Sequence, residues 1–385
     1  MSRTRFILSV LLFALIATFI VPPVKAQSTT TLLYRGSAGR TGVYDLPAVP
    51  ALRGLAWKSS VGEAGFSSPI YAAGSVFIGT NRGELKAFDA ATGDQQWNFS
   101  KAGGNASPPA YADGVVYAGL GIVEGRMGLY ALDARTGDQL WLFATDSPIW
   151  LSAPLIHDGA AIFGDQNGVL YSVDLISHKE RWRADKRGAV LWFAAAEGDS
   201  IYFTAGSILY ALDAASGDER WNVRLSSDWM PLAVADGTVY AGDARNSLHA
   251  LDAATGEEVW TFKDRVTSRG SWSAPTINDG VVYAGNRTGF FYAFNAKTGE
   301  QLWKFDAQAP ATSDAVLANG ILYFGVGAHG STSADQTKAY FYALDAATGA
   351  EVWKFEADGE IFNGPAISED QIYFVTAAND LYALR

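Results

Sequence analysis

The sequence predicts an all-β chain: an eight-bladed β-propeller with four-stranded antiparallel blades, the last blade closed by the N-terminal strand. Three observations carry this. A short pattern ending in Trp recurs along the chain at a period of about 41 residues. Each period holds four short segments of alternating apolar and polar residues, separated by turn residues. The pattern is also cut at both ends, and the two fragments complement each other.

The first copy reads Ala87-Phe-Asp89-Ala-Ala-Thr92-Gly93-Asp-Gln-Gln-Trp97. Close copies are Ala131/Asp133/Thr136/Gly137/Trp141, Ala211/Asp213/Ser216/Gly217/Trp221 and Ala250/Asp252/Thr255/Gly256/Trp260. Two more are Ala293/Asn295/Thr298/Gly299/Trp303 and Ala343/Asp345/Thr348/Gly349/Trp353. A weaker copy, Ser172/Asp174/Ser177/His178/Trp182, has lost its Gly. The chain ends on Leu381-Tyr382-Ala383-Leu384-Arg385, half a copy, while Leu55-Ala56-Trp57-Lys58 supplies a Trp with no preceding half. Trp57 to Arg385 is 328 residues, 41 for each of eight units, and the Trp-to-Trp spacings are 40, 44, 41, 39, 39, 43 and 50. Periods of this size with four strands each signal propeller blades.

The first unit shows the elements in order. Ser68-Pro-Ile-Tyr71 begins an inner strand, and Ala73-Gly74 turns. Ser75–Gly79 is the second strand, and Asn81-Arg-Gly83 is a hairpin turn suited to positive φ. Glu84–Asp89 is the third strand, and Ala-Thr-Gly-Asp leads into the outer strand with Trp97. An open ring would expose two raw sheet edges. The strand at Trp57 is therefore expected to pair with the strand at Leu381–Leu384.

The eleven-residue pattern resembles the repeat of the pyrroloquinoline-quinone (PQQ) propeller superfamily, over nearly all of residues 55–385. The resemblance implies that the repeat Trp packs flat between neighbouring blades, with Ala and Gly leaving room for it. The blade-docking set is then Trp57, Trp97, Trp141, Trp182, Trp221, Trp260, Trp303 and Trp353. The stretch Tyr34-Arg-Gly-Ser-Ala-Gly-Arg-Thr-Gly-Val-Tyr44 also looks like the lead-in of many members.

Residues 1–26 read as a secretory signal: Arg3 and Arg5, an apolar run of 16 from Phe6 to Val21, Pro22-Pro23, then Val24-Lys25-Ala26. Sixteen residues are short for a membrane span, so cleavage near Ala26 is expected, giving a periplasmic or secreted protein. Residues 27–54 form a lead-in segment, and 55–385 the propeller. Removing the three positive charges of the signal moves the formal charge from −11 to −14. That balance argues against nucleic acid and anionic membrane surfaces, which need clustered Lys and Arg. No other apolar run is long enough to cross a membrane, and a monomer is expected.

The superfamily includes quinoprotein dehydrogenases, which bind PQQ and Ca²⁺ over the central channel, and cofactor-free propellers, including an outer-membrane assembly lipoprotein. The chain has no Cys, which removes both the Cys pair of many dehydrogenases and the lipid attachment point of the lipoprotein. It also lacks large blade insertions, and its four His are scattered. No catalytic or metal-ligating residue is assigned. The expected function is an exported, non-catalytic scaffold that binds a protein or peptide in the cell envelope, with outer-membrane protein assembly as one such role. No cofactor is then needed. The alternative is a PQQ- and calcium-dependent dehydrogenase of alcohols or sugars.

Four Trp lie outside the docking set: Trp150, Trp192, Trp229 and Trp272, all in loops that lead into inner strands. Phe66 and Phe362 hold the same place across the closure. These six aromatics are expected to ring one mouth of the channel. They read either as a ligand or peptide platform or as caps that seal the core. Two lengthened loops, Leu120–Met127 and Val326–Lys338 with His329, are expected on the same face. Asn81, Arg82, Asp243, Arg245, Asn286 and Arg287 read as turn chemistry.

Overall fold

The computed structural model describes residues 31–63, 67–101, 103–121, 127–186, 188–190, 193–225, 231–264, 271–311, 313–327 and 339–385. Eight antiparallel blades form a ring. Blades 1 to 7 run over residues 70–100, 110–144, 155–185, 195–224, 232–263, 276–306 and 316–357. Blade 8 joins Ala366–Ile367, Ile372–Val375 and Asp380–Leu384 to Leu55–Ser60.

Each whole blade repeats one plan. In blade 1 the strands are Ile70–Ala72, Ser75–Gly79, Glu84–Asp89 and Gln95–Ser100. The second strand is buried along its whole length, because neighbouring blades cover both of its faces. The outer strand, by contrast, exposes most of its residues around the buried Trp97. Between strands three and four, Asp89 Oδ1 accepts hydrogen bonds from the amides of Ala91 and Thr92. That side-chain turn is why Asp leads the repeat.

The repeat Ala lies opposite the repeat Trp, as in Ala87↔Trp97, and a bulge follows at once. Seven indoles donate across to a main-chain carbonyl. In six of these bonds the acceptor lies in the next blade's turn, as in Trp97 Nε1 to Ala134 O at 2.9 Å. A Cβ on Gly137, at φ +75°, would stand 2.7 Å from the Trp97 ring. Gly here answers both the backbone conformation and the flat approach of the indole. Blade 3 has His178 at this place, with φ 58°, and its ring stacks on Trp141 at 4.7 Å.

In blade 8 the third strand, Asp380–Leu384, and the outer strand, Leu55–Ser60, are not consecutive in sequence, and no Asp-x-x-Thr-Gly turn joins them. Trp353 donates instead to the carbonyl of Val49, and the amide of Val49 bonds Tyr323 Oη. The lead-in thus takes the place of the missing turn. Closure is as expected: Leu55–Ser60 pairs antiparallel with Asp380–Leu384. Arg53 and Gly54 amides both bond the carbonyl of Arg385, and the Arg385 amide bonds Gly54.

Thr31–Leu32 and Val43–Tyr44 each add a short inner strand, to the four-stranded blades 2 and 7 respectively. Described residues of the lead-in are woven into the ring. Residues 1–30, which include the expected signal over 1–26, lie outside the described residues. Among the described residues no helix is long and apolar enough to cross a membrane.

Candidate functional site: a channel plugged by the lead-in

The inner strands of a propeller converge on an axis, and their innermost edges face each other across it. Here the lead-in supplies what they pair with. Thr31 and Leu32 pair with Ala112 and Tyr111 of blade 2. The carbonyls of Ala38, Gly39, Thr41 and Gly42 then accept from the amides of Ala196, Val234, Ile277 and Leu317, one each in blades 4 to 7. Val43 and Tyr44 end the crossing, parallel to Leu317 and Ala318.

Such a path needs a tight, irregular backbone. Arg35, Gly36, Arg40 and Gly42 all have positive φ. At Gly42 a Cβ would meet the Ala315 carbonyl, the Arg35 guanidinium and the Thr276 hydroxyl, each at 2.9 Å. Non-Gly residues persist in such conformations only where the surroundings fix them. Both arginines are so fixed, with 1% and 0% of their surface exposed. Arg35 donates from Nε to Arg40 O (2.9 Å), from Nη1 to Ala315 O (3.3 Å), and from Nη2 to Pro275 O (2.5 Å) and Thr276 Oγ1 (3.2 Å). Arg40 donates from Nε to Ala194 O (3.1 Å), from Nη1 to Tyr34 O (2.7 Å), and from Nη2 to Ala153 O and Pro154 O (3.1 and 3.0 Å). Main-chain carbonyls at the starts of the inner strands therefore solvate two buried cations.

Asp314 supplies the counter-charge. One oxygen accepts from the Ala274 amide; the other accepts from the Tyr34 hydroxyl and lies 4.0 Å from Arg35. Phe193 completes the floor, edge-on to Tyr34 and 5.3 Å from the Arg40 guanidinium. Burial, then the Asp314 charge, drives the Tyr34 hydroxyl well above its usual range. Burial pulls Arg40 down to about 9. Around this floor, Ser67, Ser107, Ser152, Ser273 and Ser313 each accept from a Gly amide twelve residues on.

The predicted aromatic rim divides. Trp150 is 37% exposed, and Phe362 is half-buried. Trp272 is only 2% exposed and packs among Phe262, Tyr292 and Phe294, above Gly242. It fills the space between blades 5 and 6, with its indole nitrogen lacking a hydrogen-bond partner. Phe66, Trp192 and Trp229 lie outside the described residues. So do residues 122–126 and 328–338, and with them His329. The turn residues behave as turn residues: Asp243 Oδ1 accepts from the amides of Arg245 and Ser247, and Asn286 Oδ1 from those of Thr288 and Phe290.

A calcium-bound quinone would need several free oxygen ligands converging on one point, about six to eight for the ion alone. Both Asp314 oxygens are already engaged, and the neighbouring carbonyls serve the two guanidinium groups. Among the described residues no three His, Asp or Glu side chains come together as a metal site. This donor set does not fit the group. The plug itself went unread in the sequence. Its signal was two Arg five residues apart, with Gly36 and Gly39 between them and Gly42 just after, in a segment before the first blade.

A family model described as outer membrane protein assembly factor BamB matches residues 49–201, 204–327 and 313–385. Among solved structures, BamB from Moraxella catarrhalis superposes with a TM-score of 0.68 at 18% identity, covering 87% of this chain and all of that one. A quinohemoprotein alcohol dehydrogenase from Comamonas testosteroni gives 0.70 at 14%, covering 92% and 80%. The computationally designed Ika8 protein gives 0.71 at 15%, covering 84% and 96%. At these identities the likeness concerns the fold. No curated protein matches the chain significantly.

Proposed function

The chain belongs to the PQQ-like propeller family described as outer membrane protein assembly factor BamB, and from that premise we propose that it is an exported, non-catalytic scaffold. It binds a protein or peptide partner in the cell envelope, in the service of outer-membrane protein assembly. The observation that carries this reading is the plugged channel. Tyr34, Arg35 and Arg40 lie between the inner strands and engage Asp314 and the main-chain carbonyls there, which supports a ring that works without a bound cofactor. Export rests on the basic, apolar and small-residue order of residues 1–26. The exposed Trp150 offers a flat apolar contact at the mouth.

The dehydrogenase reading keeps one support, the shared fold with the quinohemoprotein enzyme. One experiment separates the two. Purified chain, cleaved near Ala26, is mixed with PQQ and Ca²⁺ and examined for a bound quinone spectrum and dye-linked oxidation of alcohols and sugars. Stoichiometric quinone with turnover would overturn the scaffold reading. The scaffold reading expects neither, and expects immobilised chain to retain envelope proteins that Trp150→Ala releases.

A further inference from the structure

An outer strand of a propeller blade is a sheet edge with unpaired N–H and C=O groups. Natural proteins guard such edges with charged side chains, Lys above all. This ring follows that rule by a repeated cross-strand pair. Tyr171 lies opposite Arg183, Tyr292 opposite Lys304, Tyr342 opposite Lys354 and Tyr382 opposite Lys58. In each, the cation sits 5.1 to 5.9 Å from the Tyr ring. Blades 1, 4 and 5 carry Asn98, Asn222 and Thr261 at the same position.

Blade 2 breaks the rule. Its Tyr130 lies opposite Leu142, and from Leu140 to Ala144 the outer strand has no polar side chain. Sheet order ends at this strand, Gln139–Ala144. Leu140 is 51% exposed. In the next blade Ile176 is 90% exposed, two residues before the His178 that stacks on Trp141. Two exposed carboxylates, Asp138 and Asp146, bracket the strand.

We propose that this edge receives an extended segment of a partner protein, added to blade 2 as a further strand. The proposal rests on the protein-binding reading above but uses the outer rim instead of the mouth. Main-chain hydrogen bonds along six residues, about 20 Å, provide the pairing. Alternate side chains of the guest lie over Leu140 and Leu142, so they are apolar and uncharged. Asp138 and Asp146 favour basic residues at its ends. A guest with acidic residues or with proline in its core is excluded, the first by charge and the second by its missing N–H.

The probe is a fluorescein-labelled, acetylated decapeptide of alternating Val and Thr with Lys at each end, titrated into the full mature chain and read by anisotropy. Saturable binding is expected, weakened at least tenfold by Leu142→Lys. Lys is what blades 6, 7 and 8 carry at this position, so the variant should fold; an unchanged melting curve checks this. The same peptide N-methylated at alternate residues should also bind at least tenfold more weakly. Binding indifferent to both changes, or no binding, overturns the proposal. Loss on Trp150→Ala but not on Leu142→Lys overturns it too, while leaving the protein-binding reading in place. Concentration-dependent dimerisation abolished by Leu142→Lys would make a second copy the occupant and equally overturn it.

Discussion

Arg35 donates its Nε hydrogen to the main-chain carbonyl of Arg40, 2.9 Å away, on the axis of the ring. From that point the two guanidinium groups diverge. Arg40 reaches blades 3 and 4, and Arg35 reaches blades 6 and 7. One short loop thus ties opposite sides of the propeller together through planar, many-donor forks and buried carbonyls that need partners.

Arg40→Lys tests that tie. A single ammonium cannot span the carbonyls of Tyr34, Ala153, Pro154 and Ala194, which the planar fork serves together. Leaving buried acceptors unpaired costs about 1–3 kcal/mol each. Urea unfolding should therefore show a loss of at least about 2 kcal/mol, with the slope unchanged. A variant within about 0.5 kcal/mol of the parent would show that the plug is not part of the cooperative unit.

The ring was legible in the sequence because its determinants are local and repeated. Asp89 caps its own turn, Ala87 faces Trp97 across one hairpin, and each recurs at a fixed spacing. The plug was not legible, because its partners are far away in sequence. Arg40 meets residues more than a hundred positions on, and nothing near it announces them. Two members of the expected aromatic rim part for a different reason. Trp150 and Trp272 stand at similar places in the chain, but Gly242 opens a slot that takes the Trp272 ring inward. At the corresponding glycine of blade 2, Gly119, it is Ile149 that fills the slot, and Trp150 is left outside.

His178 should show two effects that nearly cancel. As a non-Gly residue at φ 58° it carries about 1–2 kcal/mol of strain. Its stack on Trp141 at 4.7 Å returns about 0.5–1.5 kcal/mol. His178→Gly is expected within about 1 kcal/mol of the parent, and His178→Ala about 1 kcal/mol below it, because Ala keeps the strain and loses the ring. The converse substitution is harsher. Gly137→Ala adds the same strain and a Cβ 2.7 Å from Trp97, so about 2 kcal/mol or more should be lost. Thermal melts of the three variants decide; equal effects at 137 and 178 would contradict this account.

Acid should weaken the turns together. A side-chain hydrogen bond from Arg220, then the Ser216 amide, holds the Asp213 carboxyl down to about 2. The Thr136 amide lowers Asp133, the Thr255 amide lowers Asp252, and the Thr348 hydroxyl lowers Asp345. Each carboxylate is favoured by the folded state, so its contribution is present above the unfolded value near 4 and is lost as pH falls toward 2. The urea midpoint should fall steadily below pH 4. Asp213→Asn should start from a lower midpoint at pH 6 and lose less on acidification to pH 2.5. A drop as large as the parent's would place the acid sensitivity elsewhere.

Trp150 and Trp272 should part company under the same substitution. Trp272 is 2% exposed and wedged among three rings, so Trp272→Ala opens a cavity between blades 5 and 6 and should cost about 3–5 kcal/mol. Its unpaired indole nitrogen slightly offsets that cost, since truncation also removes a buried donor without a partner. Trp150, at 37% exposure, has no such enclosure, and Trp150→Ala should stay within about 1 kcal/mol of the parent in a melt. Its effect belongs instead to binding, as fewer envelope proteins retained on the immobilised chain. If Trp150→Ala melts as early as Trp272→Ala and retains the same proteins, both indoles are packing residues and the mouth is not the recognition surface.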